Sequence, residues 1–439
     1  MTNEVLQKTA SDEQNVSSSN GLEAKLPYIK FSTSQWQQKN FSDLFTILSN
    51  NTHSRAELTN YGTIRNIHYG DVLIKFGNIL DTSQAEIPYL CENCKYKDEY
   101  MQDGDIIIAD TAEDYTAGKC TELFNVGTSK IISGLHTIPC RPKIKFAQKY
   151  LGYYTNSPAY RHQLLSLLQG IKVYSISKTN LSNTHVSYPP LPEQQKIADF
   201  LSLVDQRIEK QRQLVESLKK YKRGLLSAIF DHKLRFKDEN GNDYPEWDNF
   251  VLDNLGSFYN GLSGKNKDDF GTGNSEYITY MNVFKNTIAN ETICERVNIL
   301  PNEHQNIVNF GDLLFTQSSE TMEEVGFCSV WNSHKKVFLN SFCFGLHFNN
   351  SKFAYPQFMA HYMRSYKIRL LIMRESQGAT RINLSSERLK KIELSLPPYK
   401  EQKIIAHFIE RYDNTIQNEE KKLEMFNNLK QGLLQQMFI

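Results

Sequence analysis

Three stretches of this chain carry residue types that could do chemistry. Leu396-Pro397-Pro398-Tyr399 comes close to the Asn/Asp-Pro-Pro-Tyr/Phe motif with which methyltransferases hold the amino group of a target base. Position 396 is Leu, which cannot accept a hydrogen bond, and no Gly-rich cofactor loop follows a strand anywhere upstream. Cys91 and Cys94 have the spacing of half a zinc site, with Cys120, His136 and Cys140 downstream. A zinc site needs a second close pair, and His136 with Cys140 is a poor one, so no metal site is assigned. Glu419-Glu420-Lys421 lacks the upstream acidic partner that a metal-dependent nuclease requires. No phosphate-binding Gly-x-x-x-x-Gly-Lys-Ser/Thr loop and no Ser-His-Asp logic occur. The chain is therefore read as non-catalytic, with no cofactor of its own.

What remains is residues suited to binding. Two polar, Gly-containing segments occupy similar places in the two halves. The first runs from Asn50 to Arg65 and offers Ser54, Arg55, Tyr61, Thr63 and Arg65. The second runs from Gly261 to Tyr277 and offers Lys265, Asn266, Lys267, Asn274 and Tyr277. Lys, Arg, Asn, Ser and Tyr on exposed loops are the side chains that hydrogen-bond phosphates and base edges. Arg364, Lys367, Arg369, Arg374 and Arg381 form a second basic candidate, of which Arg381 joins the predicted contact set. Net charge is only +1, so nucleic-acid contact has to come from local patches such as these.

The elements that position these loops repeat. Residues 189–230 align with 397–438 at a constant offset of 208, and 15 of the 42 positions are identical. Gln169-Gly170 matches Gln377-Gly378 at the same offset, and Gly104-Asp105 answers Gly311-Asp312. Each repeated segment opens on Pro-Pro, which ends the preceding element, and then keeps a 3.5-residue apolar period. The first seam begins Ile197, Leu201, Val204, Ile208, Gln211 and runs to Ile229. The second begins Ile405, Ile409, Tyr412, Ile416, Glu419 and runs to Met437. The seams carry two matched polar interruptions, Gln211 with Glu419 and Lys222 with Lys430, and Gln211 and Glu419, near mid-helix, should meet in an antiparallel pair.

The parts between the helices read as short strands with turns, for example Asp71–Phe76, Asp105–Ala109 and Asp312–Thr316. Each also has one helical stretch, near 146–169 and 356–376. The predicted architecture is α+β: two homologous mixed units joined by two long antiparallel coiled-coil helices with pseudo-twofold symmetry. Boundaries fall at 1–26 (a polar, disordered start), 27–188, 189–232, 233–396 and 397–439. The seven cysteines, an odd number in a long chain, suit reduced thiols in a cytoplasmic protein. No run approaches the ~20 apolar residues of a membrane span.

These residues resemble a known family. The repeated Pro-Pro…Glu-Gln…Ile-Ala-x-Phe…Gly-Leu-Leu…Phe segments, the linker Leu234–Trp247, Gly104–Asp114 and Ser133–Thr137 are similar to type I restriction–modification specificity subunits. The resemblance spans residues 27–439. It implies two target-recognition domains, 27–188 and 233–396, each reading half of a bipartite, asymmetric site in double-stranded DNA. It implies that the helical regions space these domains and bind two methyltransferase (modification) subunits, with restriction/translocase subunits added. S-adenosylmethionine, ATP and Mg would then belong to those partners, and adenine methylation and cleavage would be theirs.

Overall fold

The computed structural model describes residues 36–97, 99–350 and 352–438, so the predicted disordered start at 1–26 lies outside the described residues. The chain divides into two compact units. One takes in residues up to Ile208 and those from Met425 on; the other is Glu209–Glu424.

In the first unit, Ile106–Ala109 is the centre of a five-stranded sheet, between Thr137–Pro142 and Cys120–Phe124. All four of its residues are buried, because both faces of the sheet are covered. Ile106 and Ile108 face a cluster with Phe41, Tyr150, Tyr154 and Ile197. Ile107 and Ala109 face another with Ile67, Val72 and Leu80. A period of two thus distributes one apolar run between two cores. The second unit repeats the plan. Leu313–Thr316 lies between Cys343–Phe348 and Cys328–Val330, and it too is fully buried. The Asp that opens each run is an anchor. Asp105 takes Arg141 at 3.0 and 2.7 Å. Asp312 accepts from the Tyr259 hydroxyl at 2.6 Å and sits 2.7 Å from Nδ1 of His347.

Both expected strands at 105–109 and 312–316 are present. Asp71–Phe76 is not a strand: Asp71–Lys75 winds into one wide turn, closed by Phe76 N–H donating to the Asp71 carbonyl at 2.7 Å. Its alternation is misleading because Ile74 points to solvent, 88% exposed, while the Asp71 carboxylate is held inside by Arg55. Each helical stretch also breaks in two. The breaks come at Ser157, which accepts from Tyr160 N–H ahead of Pro158, and at Ser365.

Each globular part closes on itself. Gln37–Asn40 pairs antiparallel with His185–Tyr188, and Asp248–Val251 with Glu393–Leu396. The Pro-Pro step follows at once, and a long helix begins: Leu191–Phe230 in the first copy and Tyr399–Met437 in the second. A buried glutamine fixes each entry. Gln194 donates to the Pro189 carbonyl at 2.8 Å and accepts from Ala147 N–H at 3.0 Å. Gln402 donates to Pro397 at 2.8 Å and accepts from Tyr355 N–H at 2.7 Å.

The heptad positions of both helices are all buried or half-buried. Their pairing is antiparallel, since partner numbers rise on one helix as they fall on the other. In the second unit Gln211 donates to the Glu419 carboxylate at 2.7 Å, and Lys222 pairs with Asp413. In the first unit Lys430 pairs with Asp205 at 2.6 Å. Lys222 and Lys430 are equivalent, as are Asp205 and Asp413, so each unit makes the same ion pair. The seam lysines that look like faults in the heptad are thereby matched. Among the described residues, no helix is long and apolar enough to cross a membrane.

Cys91 and Cys94, expected as free thiols, are joined as a disulfide with Cα atoms 5.3 Å apart. Cys120, Cys140, Cys294, Cys328 and Cys343 are free.

Candidate nucleic-acid interface

The loop at 50–65 is braced from within. Ser54 starts a short turn, Arg55–Glu57, and its backbone N–H donates to the Glu57 carboxylate at 2.8 Å. The Arg55 guanidinium grips the buried Asp71 carboxylate through two bonds, 2.8 and 2.9 Å. Its side chain nevertheless stays 56% exposed, with further N–H groups at its outer edge. Tyr61 is 75% exposed and Thr63 is exposed. Arg65 is half-buried and donates to the Thr82 carbonyl at 2.8 Å beside the Tyr89 ring. Tyr61 and Thr63 with the outer edge of Arg55 form the part of the predicted set open to a ligand.

Two members of the second set are internal, which corrects the expectation. The Lys265 side chain is 2% exposed and its ammonium donates to Glu303 at 2.7 Å, so it is unavailable to a phosphate. Tyr277 is buried, its hydroxyl donates to Glu295 at 3.0 Å, and burial pushes its pKa up to about 12. Asn266 caps the turn Lys267–Asp269, accepting from Asp268 N–H at 3.0 Å. Asn274 is exposed but bridges to the backbone of Ile299. Lys267 remains at the surface. Gly273 serves the chain's own packing: a Cβ there would lie 2.5 Å from Asn298 N.

The basic segment at 361–381 also divides. Arg364 donates to the carbonyls of Val283, Phe284 and Asn286 at 2.8 to 3.0 Å. Arg369 donates to those of Gly326 and Glu323 at 3.0 Å. Burial lowers both guanidinium pKa values to about 10. They staple loops to a helix, and Lys367, Arg374 and Arg381 are left at the surface.

Arg381 stands on a feature that the sequence marks only by Gln-Gly. Gln169 and Ser175 exchange two backbone bonds, as do Gln377 and Asn383, which makes two matching hairpins. Gly170 and Gly378 adopt φ of 119° and 134°, and a Cβ there would strike the carbonyl oxygens of Val173 and Arg381 at 1.8 and 2.0 Å. Only glycine fits. The frames agree while the tips differ: Ile171-Lys172-Val173, with Ile171 92% exposed, against Ala379-Thr380-Arg381. The first tip was missed because an exposed Ile has no signature of its own.

His136 and Cys140 do not approach Cys91 and Cys94. His136 lies 3.3 Å from Asp110, and Cys140 is buried within the sheet. Leu396 ends a strand and Tyr399 begins a helix, so the methyltransferase-like motif is a helix entry.

The sequence pattern of the type I restriction modification DNA specificity domain matches residues 33–220 and again 244–427. The chain belongs to this family. Its members are specificity subunits, non-catalytic proteins that work in a complex with other subunits and DNA. The chain is 26% identical over 319 residues to the specificity subunit of the type I restriction enzyme EcoKI of Escherichia coli K12. That alignment covers 68% of this chain and 66% of the relative, just under two thirds of its length. It is 23% identical over 422 residues to a putative type I specificity subunit, MjaX, of Methanocaldococcus jannaschii, covering 91% and 92%. A solved structure from work on complex assembly and conformational transition of the type I R-M system superposes with TM-score 0.59. At 16% identity, and over 92% of this chain and 98% of that one, it speaks for the fold.

Proposed function

We propose that this specificity-domain protein reads a bipartite, asymmetric sequence in double-stranded DNA, one half-site by each of residues 27–188 and 233–396. The long helical segments, 189–232 and 397–439, hold two modification subunits. Those partners bind S-adenosylmethionine and methylate adenine, and restriction/translocase subunits using ATP and Mg complete the assembly. The observation that carries this reading is the pair of hairpins at 169–175 and 377–383. They have one backbone frame, pinned by a glycine that nothing can replace, and different exposed side chains. Two equivalent docking frames with unlike tips suit two unlike half-sites. Tyr61, Thr63 and Arg55 would add contacts in the first half, and Lys267 and Arg381 in the second. The test is to co-express the chain with its modification subunit and map methylated adenines genome-wide. A single two-part motif with a fixed gap is expected. A contiguous motif, or no methylation by an assembled complex, would reject the reading.

A further inference from the structure

The turn that carries Cys91 and Cys94 lies against the loop that carries His53. Short strands hold the two together, with Leu58 opposite Leu90 and Thr59 opposite Tyr89. Cys91 N–H donates to the Glu57 carbonyl, and Cys94 N–H to the Cys91 carbonyl, both at 3.1 Å. One donor atom from each of His53, Glu57 and Cys94 falls within a 4.8 Å sphere of the others, and Cys91 adjoins Cys94. An imidazole nitrogen, a carboxylate oxygen and the Cys94 sulfur thus converge from two loops, and the Cys91 sulfur is tied to that of Cys94.

Proton positions sharpen this picture. Nε2 of His53 is 2.7 Å from the Lys95 carbonyl, which can only accept, so Nε2 carries the hydrogen. Nδ1 is 2.9 Å from Oε1 of Glu57, another acceptor when ionised. A neutral ring would therefore set a lone pair against a carboxylate, and a positive centre has to lie between them: a proton or a metal ion. A ring N–H donated to a backbone carbonyl is also how metal-bound imidazoles are oriented. Glu57 is held in place through its other oxygen, Oε2, by Ser54 N–H at 2.8 Å and Ser54 Oγ at 3.0 Å.

We propose that the reduced Cys91 and Cys94 thiolates, with His53 Nδ1 and the Glu57 carboxylate, bind a zinc ion that fastens the turn at 53–57 to the turn at 91–94. Four donors with two thiolates and an imidazole suit zinc in a closed, tetrahedral structural site. The disulfide and the zinc form exclude each other, so the site belongs to the reduced chain. A search by sequence spacing looks for the second pair close by and downstream, whereas His53 and Glu57 come from an earlier loop. The inference is independent of how the protein reads DNA.

The experiment uses the full chain, purified under a phosphine reductant, with zinc measured by mass spectrometry. In parallel, cobalt(II) is titrated into the metal-free chain. One zinc per chain is expected, with sulfur-to-cobalt charge-transfer absorption and the strong visible bands of a tetrahedral site. Cys91→Ser with Cys94→Ser should abolish both signals, and His53→Gln, which removes a direct ligand, should weaken cobalt binding by at least the roughly 10- to 100-fold typical of losing an outer-shell partner. Cys294→Ser, which removes a free cysteine outside the cluster, should change nothing. Zinc should also shield Cys91 and Cys94 of the native chain from alkylation until a chelator is added, a readout that needs no variant. A folded, reduced wild-type chain without cobalt–sulfur absorption would overturn the proposal, as would metal binding that survives the double cysteine substitution.

Discussion

At the scale of single residues, burial separates side chains that look alike in sequence. Lys265, Arg364 and Arg369 have the same formal charge as Lys267 and Arg381 but are spent on internal partners. Lys265→Ala should lower thermal stability, because it removes a packed side chain and the partner of Glu303, and should leave the salt dependence of DNA binding by the assembled complex unchanged. Arg381→Ala should do the reverse: unchanged thermal stability, with the slope of log affinity against log salt reduced by about one. Melting curves and a salt series on both variants check this, and a changed slope for Lys265→Ala would return that residue to the interface. A titrating residue gives a second prediction. His361 is 8% exposed, and burial, then Lys222 and Arg364, push its pKa down from 6.5 to about 3. Below pH 6.5 the unfolded chain takes up a proton that the folded chain refuses. Stability is therefore full above 6.5 and is lost as pH falls toward 3, by about 2 kcal/mol at pH 5. Denaturant titrations at pH 7.5 and 5 should show that loss, and His361→Gln should shrink it. None of this is legible in sequence, since the partners of Lys265 and His361 come from distant stretches of chain.

At the scale of elements, the long helices are the most legible part of the molecule. A heptad is a local repeat, and the antiparallel partner follows from where the polar seam residues fall. Gln211 against Glu419 was foreseeable because equivalent positions of two like helices meet where an antiparallel pair crosses. That Lys222 would find Asp413 was not, because the aspartate stands one place off the seam. The strand at 71–76 misled for the same reason in reverse: an apolar run with one exposed Ile resembles a strand until its first carboxylate is drawn inward by an arginine. The repeated Pro-Pro…Glu-Gln signature is visible in sequence, but its purpose is visible only in the fold. Gln402 is fully buried and bonds the backbone of Pro397, Phe353 and Tyr355. Gln402→Leu leaves those three backbone groups without a partner and should cost about 2–4 kcal/mol. Gln402→Glu keeps the acceptor but replaces the donating amide with a carboxylate facing two carbonyls, so it should be no better tolerated. Thermal melts of both variants measure this, and a wild-type melt for Gln402→Leu would show that the helix entry is held by the prolines alone.

At the scale of the whole molecule, a net charge of +1 and a pI near 7.6 leave no broad field to draw in DNA. Recognition then depends on small surfaces, and those surfaces should travel with the part of the chain that builds them. The second globular part begins and ends on one antiparallel strand pair, Asp248–Val251 with Glu393–Leu396, so its two ends are neighbours. Its hairpin at 377–383 and the turn at 267–269 lie between those ends. The glutamine that docks the following helix contacts it through backbone atoms at Phe353 and Tyr355, which any sequence with the same turn supplies. Residues 245–396 can thus be exchanged for the matching stretch of another family member by cutting outside both strands, with the heptad untouched. The chimera, assembled with the same modification subunit, should methylate a motif in which one half is new while the other half and the gap are retained. Genome-wide mapping of methylated adenines decides it. If both halves changed, recognition would be a joint property of the two parts, and the hairpin tips could not be independent readers.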